Sequence, residues 1–171
     1  MDIKLRKIIK LQKSSKEVNI MENNRQNSTI NWYPGHMAKT KRLIKENIDK
    51  IDIVYEVVDA RIPFSSKIID IDEYIKTKPR IMIMSKYDLC DTKETDKWIH
   101  YYEEKGYVVL PMDLVHSVDL KKILETTNLL IKSELEKREK KGMLQRRTRV
   151  LVVGIPNAGK STLINRLVGK K

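Results

Sequence analysis

Apolar residues recur in two rhythms along this chain, and the rhythms alternate. Ile53-Val54-Tyr55-Glu56-Val57-Val58-Asp59 is short and rich in β-branched side chains, the pattern of a strand buried in a sheet. Similar short apolar runs predict strands at 80–84, 107–111 and 149–153. Between them the apolar spacing lengthens to that of amphipathic helices near 67–76, 92–105, 118–140 and 160–168. An earlier helix is expected after the Pro34-Gly35 turn signal, with Met37, Ile44, Ile48 and Ile51 on its apolar side and Lys39, Lys41, Arg42 and Lys45 on the other. Strand and helix taking turns predict parallel pairing through right-handed crossovers, hence an open α/β sheet with helices on both faces. Ligands of such sheets gather at the carboxyl ends of the strands.

Ahead of this pattern, residues 1–29 read as an extension, first basic with spaced apolar residues and then polar from Glu22 to Thr29. The folded unit is expected to span 30–171. With 171 residues the chain can bury one sizeable core.

Two segments at predicted strand ends carry chemistry. Gly154-Ile155-Pro156-Asn157-Ala158-Gly159-Lys160-Ser161 matches the phosphate-loop pattern G-x-x-x-x-G-K-[ST], with an apolar run before it and a helical pattern after it. Glycines let the backbone wrap a phosphate chain, and N–H groups from Asn157 to Thr162 face its charge. Lys160 reaches the terminal phosphates, and the Ser161 hydroxyl is the candidate Mg²⁺ ligand. The second segment, Ser85-Lys86-Tyr87-Asp88, is similar to the guanine-reading Asn-Lys-x-Asp pattern. A carboxylate at Asp88 can accept two hydrogen bonds from guanine, whereas adenine offers no matching pair of donors. Lys86 can lay its aliphatic stem along the base. Ser85 stands where asparagine is expected, and its shorter side chain predicts less reach toward base and phosphate loop, hence weaker binding. The base-reading segment precedes the phosphate loop, the reverse of the ordinary order and the order of a circular permutation.

Charge and cysteine content narrow the setting. A formal net charge of +12 suits a polyanionic partner such as ribosomal RNA, although low-aromatic, Lys- and Asn-rich composition also follows from genome base bias. A lone cysteine, Cys90, excludes an intrachain disulfide and fits a reducing cytoplasm. No apolar stretch approaches the roughly 18 residues that span a bilayer, and the first residues lack a signal-peptide core.

Four ordered motifs together resemble the ribosome biogenesis GTPase A family: Trp32-Tyr33-Pro34-Gly35-His36-Met37-Ala38-Lys39, Asp59-Ala60-Arg61-Ile62-Pro63-Phe64-Ser65-Ser66, Ser85-Lys86-Tyr87-Asp88-Leu89, and Gly154 through Asn165. The resemblance implies a P-loop NTPase-like sheet, circularly permuted, that binds GTP or GDP with Mg²⁺ and acts on the large ribosomal subunit during its assembly. It implies a hydrolytic role for His36, to orient water or stabilise charge at the γ-phosphate. It makes the segment from Asp59 to Pro63 a structural or RNA-facing loop, in which Arg61 is open to an ion pair with Asp59 or another acid. Met112-Asp113-Leu114 departs from the expected second base-contacting loop. Further segments are expected by resemblance after Lys171, namely a threonine that closes over Mg²⁺, an Asp-x-Pro-Gly switch and a helical RNA-binding domain. The sheet is therefore expected to be incomplete at the C-terminus, with residues 150–153 an apolar edge, and hydrolysis by this chain alone to be slow or absent. The alternative reading is a non-catalytic RNA- or ribosome-binding module that uses the basic extension, the Lys39 to Lys45 face and the Arg146-Arg147-Thr148-Arg149 cluster.

Overall fold

A computed structural model describes residues 35–75, 78–142 and 146–169, with side chains from Lys39 onward. The proposed extension 1–29 lies outside the described residues. Four parallel strands, β1 (Ile53–Asp59), β2 (Arg80–Ser85), β3 (Val108–Pro111) and β4 (Val150–Val153), form one sheet in the order β3-β2-β1-β4. In its register Val54 faces Arg80 on one side of β1 and Leu151 on the other, while Ile81 of β2 faces Val108.

β1 is buried along its whole length because it has a strand on each side and helices on each face. Its side chains alternate. Ile53, Tyr55 and Val57 enter the larger core with Ile123 and Ile131 of α4 (Leu120–Lys140) and Leu163 of α5 (Lys160–Leu167). Val54 and Val58 enter two smaller cores on the opposite face. One is built with Ile48 and with Ile71 and Ile75 of α2 (Ile71–Ile75), beside α1 (Gly35–Asn47). The other is built with Tyr102 of α3 (Thr92–Glu104). Each fully buried aliphatic side chain of this set contributes about 1.5–3 kcal/mol. The Tyr55 hydroxyl donates to Thr127 Oγ1 at 2.6 Å, and Thr127 in turn donates to the Ile123 carbonyl, so the one polar tip in the larger core is satisfied.

Glu56 is the exception on β1. Its side chain is fully buried between the two smaller cores, with Arg80 Nη1 at 3.1 Å and Lys67 Nζ at 3.8 Å. Burial pushes its carboxyl above the usual range, against the pull of Arg80 and Lys67.

Of the expected helix at 67–76 the described residues show Ile71–Ile75, so it begins four residues later than its apolar spacing predicts. The cause is upstream: the Ser66 hydroxyl accepts from the Asp59 N–H and donates to the Ile62 carbonyl, which holds a loop through Ser66, while Lys67 is drawn toward Glu56 and Asp72. Other boundaries move by a residue or two for identifiable reasons. α4 begins at Leu120 because Asp119 caps it, accepting from Lys122 N–H at 2.9 Å. β3 begins at Val108 because Tyr107 N–H closes back on the Tyr102 carbonyl. β4 begins at Val150 because Arg149 N–H is given to the Asp52 carboxylate at 2.8 Å.

Asp52 fastens the entrance to β4. Its buried carboxylate also receives Arg146 Nη1 and Nη2, each at 2.9 Å, and Arg138 Nη2 at 2.5 Å from the end of α4. Two guanidiniums and one N–H thus converge on one carboxylate beneath the sheet. Among the described residues β4 forms one end of the sheet, with Val150 exposed and Leu151 and Val152 half-buried, the edge that the resemblance implies. No helix among the described residues is long and apolar enough to cross a membrane.

Candidate nucleotide site

The phosphate-loop segment leaves β4 and enters α5 through a backbone that side chains resist. Gly154 has φ +155°, and a Cβ there would lie 2.4 Å from the Val57 carbonyl oxygen, an impossible contact with backbone. Asn157 and Gly159 both take left-handed conformations, at φ 61° and 95°. A Cβ on Gly159 would press on Leu114 Cδ1 at 3.3 Å and Ser85 Cβ at 3.4 Å. The loop therefore turns tightly over the ends of β1 and β2 and delivers the N-terminus of α5 to the same edge. Such a cradle fits a phosphate chain, since successive N–H groups and the helix dipole favour negative charge there.

Lys160 opens α5, and its ammonium donates to the Ile155 carbonyl at 2.7 Å, folded over its own loop. Burial lowers its pKa, as expected for a cation whose partner among the described residues is a carbonyl and not a carboxylate. Ser161 is exposed and Thr162 half-buried on the first turn, and Ala158 is buried beneath the loop.

Ser85 ends β2 and is fully buried. Its hydroxyl lies 2.7 Å from the Ala158 carbonyl and 3.0 Å from the Val58 carbonyl. One hydroxyl proton serves these two acceptors, so it bonds one at a time. Short as it is, the serine side chain meets the phosphate loop, because the loop itself comes down to Ser85 across the end of β1. Lys86 follows in a left-handed conformation, φ 58° and ψ 34°, and its ammonium pairs with Asp59 at 2.8 Å. Asp59 also takes Arg61 in a two-pronged grip, Nε on Oδ1 at 2.9 Å and Nη2 on Oδ2 at 2.8 Å. Of the options open to Arg61, the ion pair with Asp59 is the one formed. That grip, with Lys86 adding to it, holds the Asp59 carboxyl well below the usual range despite burial.

Asp88 sits on the 3-10 turn Tyr87–Leu89, exposed, with no hydrogen-bond partner among the described residues. It borders a cleft of about 430 Å³ with Tyr87, Met112, Asp113, Ser117 and Lys122. Asp113 stabilises the loop opposite, accepting the N–H groups of Val115 at 2.8 Å and His116 at 3.0 Å, with His116 Nδ1 at 3.0 Å. The His116 N–H, against the opposing effect of burial and helped by the Val115 N–H and the His116 ring, holds the Asp113 carboxyl below its usual range. Ligand atoms of Asp88, Asp113 and His116 lie within 4.8 Å of one another. His100 and His116 are both exposed, each beside an acid. Cys90 is half-buried and donates its thiol to the Tyr87 carbonyl.

Three contributors escaped sequence reasoning. Asp59 holds Lys86, Leu114 packs beneath Gly159, and Arg166 of α5 donates to the Leu114 and Val115 carbonyls, tying the phosphate-loop helix to the loop that carries Asp113. The position of Asp59 at a strand's carboxyl end was the available signal for the first. His36 lies in the first turn of α1, and its side chain lies outside the described residues.

A parallel sheet with helices on both faces, a glycine cradle entering a helix and a Ser-Lys-x-Asp turn at the same edge together define an α/β fold of the P-loop NTPase type, with its motifs in permuted order. A family profile described as a 50S ribosome-binding GTPase matches residues 149–171, from the entrance of β4 through α5. Ribosome biogenesis GTPase A of Priestia megaterium is 46% identical over 144 residues, which cover 84% of this chain and 50% of that protein. The protein of the same name from Thermotoga maritima is 37% identical over 142 residues, 83% of this chain and 47% of its own. Among solved structures, GNP-bound YlqF from T. maritima superposes with a TM-score of 0.56 at 34% identity, covering 78% of this chain and 49% of that one. GDP-bound YlqF gives 0.55 at 33% identity over 76% and 49%. Along most of its own length the chain is thus homologous to the proteins named ribosome biogenesis GTPase A and to YlqF. It spans about half the length of the curated relatives it matches.

Proposed function

We propose that this chain is a guanine-nucleotide-binding ribosome assembly factor, or a piece of one, acting in the cytoplasm on the large ribosomal subunit and its rRNA. The observation that carries the reading is the 2.7 Å contact of Ser85 with Ala158, which sets the base-reading turn and the phosphate loop side by side. The names of the relatives and the nucleotides in the solved neighbours support it.

In this reading Asp88 accepts the guanine N1 and amino protons, and Lys86 covers the base with its stem. Backbone N–H groups from Asn157 to Thr162 hold the phosphates, while Lys160 exchanges the Ile155 carbonyl for phosphate oxygens. Exchanging a carbonyl for an anionic partner relieves the burial penalty on its ammonium. Ser161 would hold Mg²⁺, which offsets charge developing on the phosphates. His36 orients water or stabilises charge at the γ-phosphate. Sedimentation with large ribosomal subunits tests the reading: retention with a non-hydrolysable GTP analogue, weaker with GDP and lost in Lys160→Ala, is expected. Retention that ignores nucleotide and Lys160 would contradict it.

Exposed Lys39, Arg42 and Lys45 on α1, with Arg147 and Arg149, favour the second reading of a basic RNA-binding module. Arg146, offered for the same role, is committed to Asp52. A steep fall of RNA affinity with salt, unchanged by Lys160→Ala, would favour the module.

A further inference from the structure

We propose that Asp59 is a positioning residue for Lys86, fixing the lysine ammonium so that its methylene stem stands as a preformed wall of the base site. The assignment rests on the guanine-nucleotide reading above.

Asp59 is the last residue of β1 and faces Ser85, the last of β2, across the parallel ladder. The strand ends are locked together, since the Ala60 N–H donates to the Ser85 carbonyl at 2.8 Å and the Asp59 N–H to Ser66 Oγ at 2.9 Å. The side chain of Asp59 is 6% exposed. Its two oxygens receive four donors: Arg61 N–H and Nε on Oδ1, Arg61 Nη2 and Lys86 Nζ on Oδ2. The guanidinium fork fixes the plane of the carboxylate, and a lone pair of Oδ2 then points at Lys86.

Lys86 needs such an anchor. Its backbone is left-handed, a conformation that costs a non-glycine residue energy, and its long side chain carries much rotamer entropy. Anchoring the ammonium at 2.8 Å orders the stem before any base arrives, so the ordering cost is met in folding and not in binding. One carboxylate between one lysine and one arginine also leaves the cluster with a net positive charge beside an incoming anion. The competing interpretation is a resting latch, in which the pair must break for Lys86 to meet the ligand. The two differ in sign.

A double-mutant cycle on the full chain distinguishes them. Affinity for a fluorescent GDP is measured for the unmodified protein, Asp59→Asn, Lys86→Met and the double variant, with inorganic tripolyphosphate as a competitor that reads the phosphate loop alone. Asp59→Asn keeps size and an acceptor for Arg61 but loses the charge. It is expected to weaken GDP about 10-fold, to leave tripolyphosphate unchanged, and to have no further effect on the Lys86→Met background. Should Asp59→Asn fail to fold by circular dichroism, Arg61→Ala takes its place, with a loss of about 3-fold that likewise vanishes on the Lys86→Met background. Losses that add, or an equal loss of tripolyphosphate, would overturn the assignment by showing a general structural effect. A gain in GDP affinity would overturn it in favour of the latch. If the unmodified chain binds no GDP, the nucleotide reading fails and this assignment with it, whereas binding with an additive cycle sinks this assignment alone.

Discussion

The hydroxyl of Ser85 and the carbonyl of Ala158 meet at 2.7 Å, although 73 residues separate them, and both groups are buried. Ser85 ends β2, and Ala158 lies inside the glycine-rich loop between β4 and α5. Ser85→Ala removes the donor and leaves a buried carbonyl without it, which is expected to cost about 1–3 kcal/mol in denaturant unfolding. Guanine nucleotide binding should weaken in parallel, because the loop loses its tether. An unchanged unfolding midpoint would show that the contact contributes nothing.

The two glycines of the loop should not respond alike. Gly154→Ala places a methyl 2.4 Å from the Val57 backbone oxygen and is expected to cost more than about 3 kcal/mol, overpacking adding to an unfavourable φ. Gly159→Ala meets the flexible end of Leu114 at 3.3 Å, so its cost should stay near the about 1–2 kcal/mol of a left-handed alanine. Equal losses in thermal melts would contradict the loop geometry.

Asp52 gives a prediction in pH. Burial alone would raise its carboxyl, but the Arg149 N–H, Arg138 and Arg146 together hold it below its ordinary value of 3.8. A carboxyl lowered in the folded state contributes stability that is present above 3.8 and lost as pH falls through the folded value. Asp52→Asn should therefore destabilise the protein at pH 7, by about 2–3 kcal/mol for a charged hydrogen-bonded cluster whose arginines remain partly in water. The gap from the unmodified protein should narrow as melts are taken below pH 3.8. A gap that stays constant with pH would mean that the carboxylate's charge is not what clamps β4.

In the proposed reading Asp88 carries the base specificity, and its exchange should change the base. Asp88→Asn offers one acceptor and one donor in place of two acceptors, which suits the 2-carbonyl of xanthine and leaves the guanine amino group opposite a donor. GDP affinity is expected to fall at least about 100-fold and xanthosine diphosphate affinity to rise, measured by competition. Parallel losses of both nucleotides would place Asp88 outside the base contact.

Much of this was legible in the chain, and what was not has local causes. β1 was read to its ends because seven consecutive residues are buried, so pattern and environment agree. The helix expected from residue 67 begins only at Ile71 because the Ser66 hydroxyl and the ions around Glu56 outcompete helical pairing there, and neither shows in periodicity. Pattern alone implied helices on both faces, and α4 with α5 opposite α1, α2 and α3 bears that out. At the site, each segment named from sequence could be placed at its strand end. Its partners could not, because Asp59 holding Lys86 and Arg166 holding the Leu114 carbonyl depend on register between strands that are distant in sequence.

The most direct test of the central claim is a titration of this chain with fluorescent GDP, GTP and ATP in Mg²⁺, with Lys160→Ala alongside. Saturable binding of both guanine nucleotides, with ATP weaker by at least about 100-fold and all binding lost in the variant, is the predicted result, because guanine alone offers Asp88 two donors. Equal binding of ATP, or binding indifferent to Lys160, would contradict the account that the Ser85 to Asp88 turn and the phosphate loop form one guanine-nucleotide site.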